Sequence, residues 1–374
     1  MKYILFFILS LLLNPLISNG QDIKIDTLQI NNFFNQQYRS HRFNGVVLIA
    51  QNHKILYKKE YGYANIEHKT GFTDSTKFQI ASVSKQFTSF GILILEQEKK
   101  LSINDPISKY LEDFPFSKIK IKHLMSHTSG LPNFVDSMWK DLDTTVVNGN
   151  ENMLAMLKSK KYSLQWEPGS KFEYSDIGYC ILATLIEKIS GVRFNEFMKA
   201  KLFEPAQMKN TTAQLVTDYR KIKTSNLSMG YHFDTASNSM KVAYELPQYS
   251  SVYWLGGFYG DGSVVSSIHD LLVWDKALYE RKIISEESLK KAMSPMLLNN
   301  GKKAKAWGEN YGFGWLLHDS PVFGKIETHT GGQPGYSSRL TRCPDKNLTI
   351  IILSNMTIPN FWEMNLLKEL EKQQ

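Results

Sequence analysis

Residues 78–85 read FQIASVSK, a short extended segment that leads directly into the start of a long helix. Apolar residues then recur at helical spacing, at Phe87, Phe90, Ile94 and Leu95. Ser82 and Lys85 are three positions apart, so on a helix the lysine amine can reach the serine hydroxyl. The chain has four Ser-x-x-Lys patterns, but only this one joins an extended segment to the first turn of an apolar-faced helix.

The position of Ser82 suits a nucleophile. The first turn of a helix carries unpaired backbone N–H groups, and these groups and the helix dipole favour a developing negative charge. A serine hydroxyl becomes reactive when a neighbour takes its proton, which a neutral Lys85 would do. Free lysine titrates near ~10.4, so holding it neutral at pH 7 costs about 4–5 kcal/mol. The alternative interpretation is that Ser82 only caps its helix and that Lys85 is solvated.

Two further short elements carry groups that can take part in proton transfer or bind an anion. Tyr174-Ser175-Asp176 follows a turn and immediately precedes a helix predicted from Asp176 to Ile189, so its phenol can project into a cleft. His329-Thr330-Gly331-Gly332 ends a strand-like run, and the N–H of Gly332 is a candidate oxyanion donor beside that of Ser82. The alternatives are a packed aromatic with a capping pair, and a plain Gly-Gly turn.

Nothing in the sequence indicates a cofactor or a nucleic-acid partner. His123 and His127 are four apart, but Leu124 stands where a zinc site of this spacing typically has a glutamate, so no metal is predicted. The formal net charge is +8, yet Lys and Arg are scattered and no basic helix is interleaved with aromatics. We therefore expect no cofactor and no nucleic acid.

The first twenty residues predict an export signal. Lys2 precedes a short apolar run from Ile4 to Leu13, and small residues at Ser18 and Gly20 suit cleavage after residue 20. The run is too short to span a bilayer, and no second stretch is apolar enough. The mature chain is thus expected in the periplasm or outside the cell, without a stable membrane span. Export permits a disulfide between Cys180 and Cys343, but two separate buried thiols fit equally well.

The order of elements predicts one α/β (α+β) domain over residues 21–374. Residues 43–65 read as a hairpin, and strand-like runs return at 311–318, 324–329 and 336–354. The middle of the chain is mostly helix and loop, and a further helix is capped at Ser267. We expect an antiparallel sheet lobe from about 21–80 and 300–374, flanked by helices. A mostly helical lobe from about 100–255 would pack against it, with the site in the cleft between them.

Several collinear blocks together resemble the class C β-lactamase-like family of serine hydrolases, which also holds DD-carboxypeptidases, D-aminopeptidases and some esterases. The resemblance covers roughly residues 43–356. It rests on residues 78–85, on 123–132 (HLMSHTSGLP), on 168–179, and on 262–267 with Asp270-Leu271. A β-lactamase/transpeptidase-like fold is what this resemblance implies.

The resemblance also implies a role for each matching residue. Ser82 would be acylated, Lys85 would accept its proton, and Tyr174 would carry protons to and from the leaving group. The N–H groups of Ser82 and Gly332 would form the oxyanion hole. The substrate would be contacted by Asp176, His329, Thr330 and Gly331.

Two departures from the family pattern bear on the substrate. Asp176 stands where the family usually has asparagine, which adds negative charge near Lys85. His329 stands where true class C β-lactamases usually have lysine, so a permanent positive charge becomes a titratable one. We therefore expect a small-molecule or short-peptide substrate, such as one derived from the cell wall: a D-amino-acid peptide or a small ester. β-Lactam hydrolysis is the alternative, and a penicillin-recognising protein with weak catalysis is a further one.

Overall fold

A computed structural model describes residues 23–132, 138–159, 162–215, 226–361, 364 and 366–373. The export signal predicted at residues 1–20 lies outside these ranges. Within them, no helix combines the length and the apolar character that a membrane crossing requires.

The described residues include thirteen strands, which pair only in antiparallel fashion within the three sheets they form. Their bounds are β1 Gly45–Gln51, β2 Lys54–Tyr61, β3 Lys77–Gln79, β4 Thr212–Ala213, β5 Tyr231–Asp234, β6 Ser239–Val242, β7 Val264–Ser267, β8 Lys305–Ala306, β9 Glu309–Tyr311, β10 Leu316–Ser320, β11 Gly324–Gln333, β12 Tyr336–Cys343 and β13 Leu348–Ser354. The largest sheet has the order β2-β1-β13-β12-β11-β10-β9-β8. The first and last of its strands in sequence, β1 and β13, are therefore neighbours, and the predicted sheet built from both ends of the chain is confirmed.

Helices cover both faces of this sheet. Those in the described residues are α1 Thr27–Arg39, α2 Ser84–Gln97, α3 Ile121–Met125, α4 Asn150–Lys158, α5 Asp176–Ser190, α6 Phe194–Met198, α7 Ser251–Trp254, α8 Ile268–Tyr279, α9 Glu286–Ala292 and α10 Leu366–Glu371. Helix α8 packs on β13 and β1 from one side. Helices α1 and α10 contribute to the hydrophobic cluster on the opposite side.

Burial on both faces explains why the central strands are apolar without interruption. Side chains alternate between the two faces of a strand. In β1, Val46 and Leu48 belong to the larger hydrophobic cluster, which extends into the helical lobe, whereas Val47 and Ile49 belong to the cluster under α1 and α10. A two-sided core needs hydrophobic residues at every position, so the pattern is a continuous run rather than an alternation.

Local structure departs from the sequence-based prediction in two places. The run from Tyr311 to His318 is not one strand, because Gly312 to Trp315 form a tight turn in which the Gly312 N–H donates to the Trp315 carbonyl at 2.9 Å. Gly314 has a φ of +81° there, which favours glycine. In addition, the central segment expected to be mostly helix and loop contains the β5–β6 hairpin and β4. The limits of the two lobes stay a prediction.

The two cysteines are separate buried thiols. Cys180 lies in the cluster of the helical lobe, and Cys343 lies in the cluster under α1 and α10. Of the two alternatives left open by the sequence, the structure has the unpaired one.

Candidate active site

Ser82 lies where a strained backbone turn meets the start of α2. Ala81 has a left-handed φ of +45°, which a non-glycine residue adopts only at some cost. Residues Ala81–Val83 form a 3₁₀ turn that continues into α2. The two neighbours of Ser82 are buried, whereas Ser82 itself is partly exposed. Its hydroxyl is thus reachable from solvent at the head of a helix that is otherwise almost entirely buried.

Lys85 is fully buried and its ammonium has three oxygen partners. Its Nζ lies 3.0 Å from Ser82 Oγ, 2.8 Å from the backbone carbonyl of Asp261 and 2.7 Å from Asp176 Oδ1. Three acceptors match the three N–H bonds of an ammonium group. Burial alone would lower the pKa of Lys85, but the negative charge of Asp176, followed by Tyr174 and Asp261, raises that pKa above its ordinary value. The resting lysine is therefore charged.

Tyr174 completes the group around the serine. Lys85 Nζ lies 5.0 Å from the centroid of the Tyr174 ring, and the nearby Ser82 hydroxyl acts to lower the pKa of the phenol. Burial raises the pKa of Tyr174, although the Lys85 ammonium opposes that shift. Tyr174 precedes α5, whose first residue Asp176 places its carboxylate at the positive end of the helix dipole. The structure thus brings Ser82, Lys85, Tyr174 and Asp176 into direct contact.

Asp261 belongs to the same charged group, and sequence reasoning missed it. Its carbonyl accepts from Lys85, and burial followed by repulsion from Asp176 raises the pKa of its carboxyl to about 6. It lies between Gly260 and Gly262. A Cβ on Gly260, whose φ is +107°, would lie 2.2 Å from the Tyr179 carbonyl. The signal that could have found Asp261 is this Gly-Asp-Gly turn immediately before β7.

The glycines of β11 place its free edge beside Ser82. A Cβ on Gly331 would lie 2.2 Å from the Ile80 carbonyl and 3.0 Å from Ser82 N, so only glycine permits this approach. Gln333 and Tyr336 close the two-residue hairpin between β11 and β12. In an antiparallel ladder, the N–H groups of successive residues point alternately towards the partner strand and away from it. Because Gln333 pairs with Tyr336 at the hairpin, the N–H of Gly332 points away from β12 and towards this edge. That direction is compatible with the predicted oxyanion role, which stays a prediction.

A buried chain of hydrogen bonds links the Tyr174 loop to β11. The Ser175 N–H donates to His127 Nδ1 at 3.1 Å, and His127 Nε2 lies 3.1 Å from the Tyr311 hydroxyl. The same hydroxyl lies 3.0 Å from His329 Nε2, and His329 Nδ1 lies 2.6 Å from the Thr330 carbonyl. The two terminal partners fix the tautomers: His127 donates from Nε2 to Tyr311, Tyr311 donates to His329, and His329 donates from Nδ1.

This arrangement keeps His329 neutral and buried. Burial lowers the pKa of His329 to about 4 and that of His127 well below its ordinary value, with the Lys85 charge as the next cause for both. His329 is 2% exposed and both its ring nitrogens have protein partners, while Thr330 is partly exposed. Direct contact of His329 and Thr330 with substrate stays a prediction. Tyr311 was missed, because nothing in its local sequence marks it.

Removing the Tyr311 hydroxyl should loosen both sides of the cleft together. In Tyr311→Phe the His127 N–H and the His329 Nε2 lone pair lose their partner, and each unpaired buried group costs about 1–3 kcal/mol. We expect a lower urea midpoint and a fall of about three- to tenfold in kcat/KM. Tyr110→Phe, which loses a hydrogen bond to Asp105 away from this site, should lower stability without that fall in activity. Equal activity loss in both variants would contradict a positioning role for Tyr311.

The other histidine of the HLMSHTSGLP block has a local role. His123 Nδ1 accepts the N–H of Lys120 at 3.2 Å, and burial lowers its pKa to about 4. Across the described ranges, no group of three or more His, Cys, Asp or Glu side chains is placed to hold a metal ion.

Comparison with known proteins identifies the family. The sequence model of the family described as Beta-lactamase matches residues 30–369. The chain is 37% identical over 331 residues to Penicillin-binding protein 4* of Bacillus subtilis (strain 168), covering 88% of this chain and 72% of that relative.

Solved structures show the same fold. A penicillin binding protein from Bacillus halodurans has a TM-score of 0.76 at 23% identity, covering 93% of this chain and 100% of the other. D-amino acid amidase from Ochrobactrum anthropi SV3, complexed with L-phenylalanine amide, has a TM-score of 0.69 at 21% identity, covering 89% and 94%. The fold class expected from the order of elements and the family resemblance carried by the collinear sequence blocks are both confirmed. The chain belongs to the beta-lactamase family of serine hydrolases.

Proposed function

We propose that this chain is an exported hydrolase that cleaves an amide or ester bond through an acyl-enzyme on Ser82. The observation that carries the proposal is the contact of Ser82 Oγ with Lys85 Nζ at 3.0 Å beside the Tyr174 phenol. The signal-like pattern of residues 1–20 supports export. N-terminal sequencing of the secreted protein should then start at Gln21; retention of Met1 would contradict a cleaved signal.

The geometry supports a sequence of proton transfers. Lys85 first loses a proton to solvent, and its neutral amine then takes the Ser82 proton as Oγ bonds to the substrate carbonyl carbon. The N–H groups of Ser82 and Gly332 stabilise the oxyanion. As the tetrahedral intermediate collapses, the bond to the leaving group breaks, and that group takes a proton through Tyr174. A water molecule then hydrolyses the Ser82 ester by the same route and restores the hydroxyl.

The charges around the serine support a substrate without a carboxylate beside the scissile bond. The Asp176 side chain is 36% exposed and carries its negative charge at the head of α5. His329 is neutral at pH 7, so it supplies no positive charge to hold a carboxylate. Likeness to D-amino acid amidase supports a D-amino-acid amide, and the resemblance of the sequence blocks to D-aminopeptidases and esterases supports a D-amino-acid peptide or a small ester. We rank these substrates above β-lactams.

A second candidate follows from the relatives named penicillin-binding protein. Because its pKa is raised, Lys85 is rarely neutral at pH 7. A reactive β-lactam ring would still acylate Ser82, whereas hydrolysis of the acyl-enzyme would be slowed more strongly. The chain would then bind penicillin covalently and release it slowly.

A substrate panel distinguishes these candidates. We would measure kcat/KM for D-alanine amide, L-alanine amide, a D-alanyl-D-alanine peptide, a short acyl ester and a chromogenic cephalosporin. We expect turnover of the D-amide or the ester at least tenfold above the L-amide and the cephalosporin. Preferential cephalosporin turnover would indicate a β-lactamase, and a single burst without turnover would indicate the penicillin-recognising protein.

A further inference from the structure

An exposed tryptophan stands beside the catalytic group. Trp307 lies in the two-residue turn between β8 and β9, and its side chain is 74% exposed. No other large hydrophobic side chain in the described part of the chain is so exposed. Its ring centroid nevertheless lies 5.4 Å from that of Tyr174, at an interplanar angle of 44°. The ring therefore extends the aromatic surface of Tyr174 outwards to solvent.

The backbone at Trp307 is one that tryptophan does not favour. Its φ is +49° and that of Gly308 is +91°, so both central residues of this hairpin turn are left-handed. Asn or Gly adopts such a conformation more readily than a bulky residue. Folding alone therefore gives no reason for a tryptophan here, and exposure gives none either. The left-handed backbone of Trp307 and the contact of its ring with Tyr174 are independent observations, and together they indicate a role in binding a ligand.

We propose that Trp307 and Tyr174 form a subsite for an uncharged aromatic or apolar leaving group. The assignment rests on the proposed function, in which Tyr174 protonates the departing half of the substrate. A group that leaves Ser82 past the Tyr174 phenol meets the ring that adjoins Tyr174 on its solvent side. Trp307 offers that group a flat apolar face on which an aromatic ring can stack. Burial of the leaving group against this face is favourable, because it removes apolar surface from water.

The test uses two substrates with one acyl half. D-alanine 4-nitroanilide and D-alanine amide differ only in the leaving group. In Trp307→Asn, whose new residue suits the left-handed turn, we expect kcat/KM for the anilide to fall about tenfold and that for the amide to change less than twofold. Trp307→Phe should recover most of the loss. Leu28→Ala, which removes a side chain that is 67% exposed on α1, should change neither value.

A binding measurement keeps the subsite testable without turnover. In a Ser82→Ala background, calorimetry should show the anilide binding about tenfold more weakly after Trp307→Asn, with the amide unaffected. Equal affinities would overturn the subsite even in an active enzyme. If the wild-type protein hydrolyses neither substrate, the proposed reaction is overturned. If it nevertheless binds the anilide through Trp307, the subsite is still supported. A parallel loss for both substrates would assign Trp307 to general architecture and contradict the proposal.

Discussion

Ser82→Ala should lose nearly all hydrolytic activity, with kcat/KM falling by about 10⁴-fold or more, as when a serine nucleophile is deleted elsewhere. The reason is that, among the residues the structure describes, Ser82 has the hydroxyl that contacts Lys85 Nζ beside the Tyr174 ring. The fold should persist, because Lys85 keeps its bonds to Asp176 and to the Asp261 carbonyl. Kinetics with the best substrate of the panel measure the loss of activity. Mass spectrometry after fluorophosphonate treatment measures whether the protein still takes the covalent label.

Ser117→Ala is the matched control. Ser117 also belongs to a Ser-x-x-Lys pattern, but it is exposed in the helical lobe. This variant should keep wild-type rates and wild-type labelling. A Ser82→Ala protein that is still active, or that still takes the label, would remove Ser82 from the reaction and with it the proposed acyl-enzyme.

Asp176→Asn should make the enzyme more active at neutral pH. Lys85 accepts a proton only when it is neutral, and the Asp176 carboxylate, 2.7 Å from its Nζ, is the main cause that raises its pKa. Loss of an adjacent opposite charge typically moves a pKa by about 1–3 units. The limb of the pH profile in which kcat/KM rises with pH should therefore move towards lower pH by about that amount. At a fixed pH below the limb, each unit corresponds to roughly a tenfold rise.

The measurement is a pH profile of kcat/KM for both proteins, with thermal melting to follow stability. Asp234→Asn, which changes a partly exposed side chain at the end of β5, should leave the profile unchanged. A limb that stays in place, or moves to higher pH, would mean that Lys85 is not the group whose neutral form is required. A lower melting temperature alone would not imitate the expected result, because destabilisation does not raise activity.

Much of the architecture follows from local patterns. The hairpin of β1 and β2 and the helix that starts after Tyr174 are marked by turn residues, caps and hydrophobic spacing, and the structure has both. The contact between Ser82 and Lys85 follows from their separation of three residues at a helix start. These features depend on neighbours in sequence, which a single chain displays directly.

The charge state of the site depends instead on distant contacts. Lys85 meets the Asp261 carbonyl across a separation of 176 residues, and Tyr311 joins His127 across 184. A residue brought in by such a contact has no local signature. The sequence predicts a titratable group at His329 from its residue type, whereas its neutral state results from burial and from the nearby charge of Lys85. Its hydrogen-bond partner Tyr311 lies on a different strand.

The adjacency of β1 and β13 has a consequence for how the chain is made. Gly45 pairs with Ser354, so the first strand of the main sheet in sequence lies beside the last. A nascent chain that stops short of residue 348 lacks the partner that β1 and β12 share. The main sheet can therefore close only after β13 has been synthesised. Contacts of such long sequence separation form slowly, so we expect the pairing of β1 with β13 to be a late step in folding.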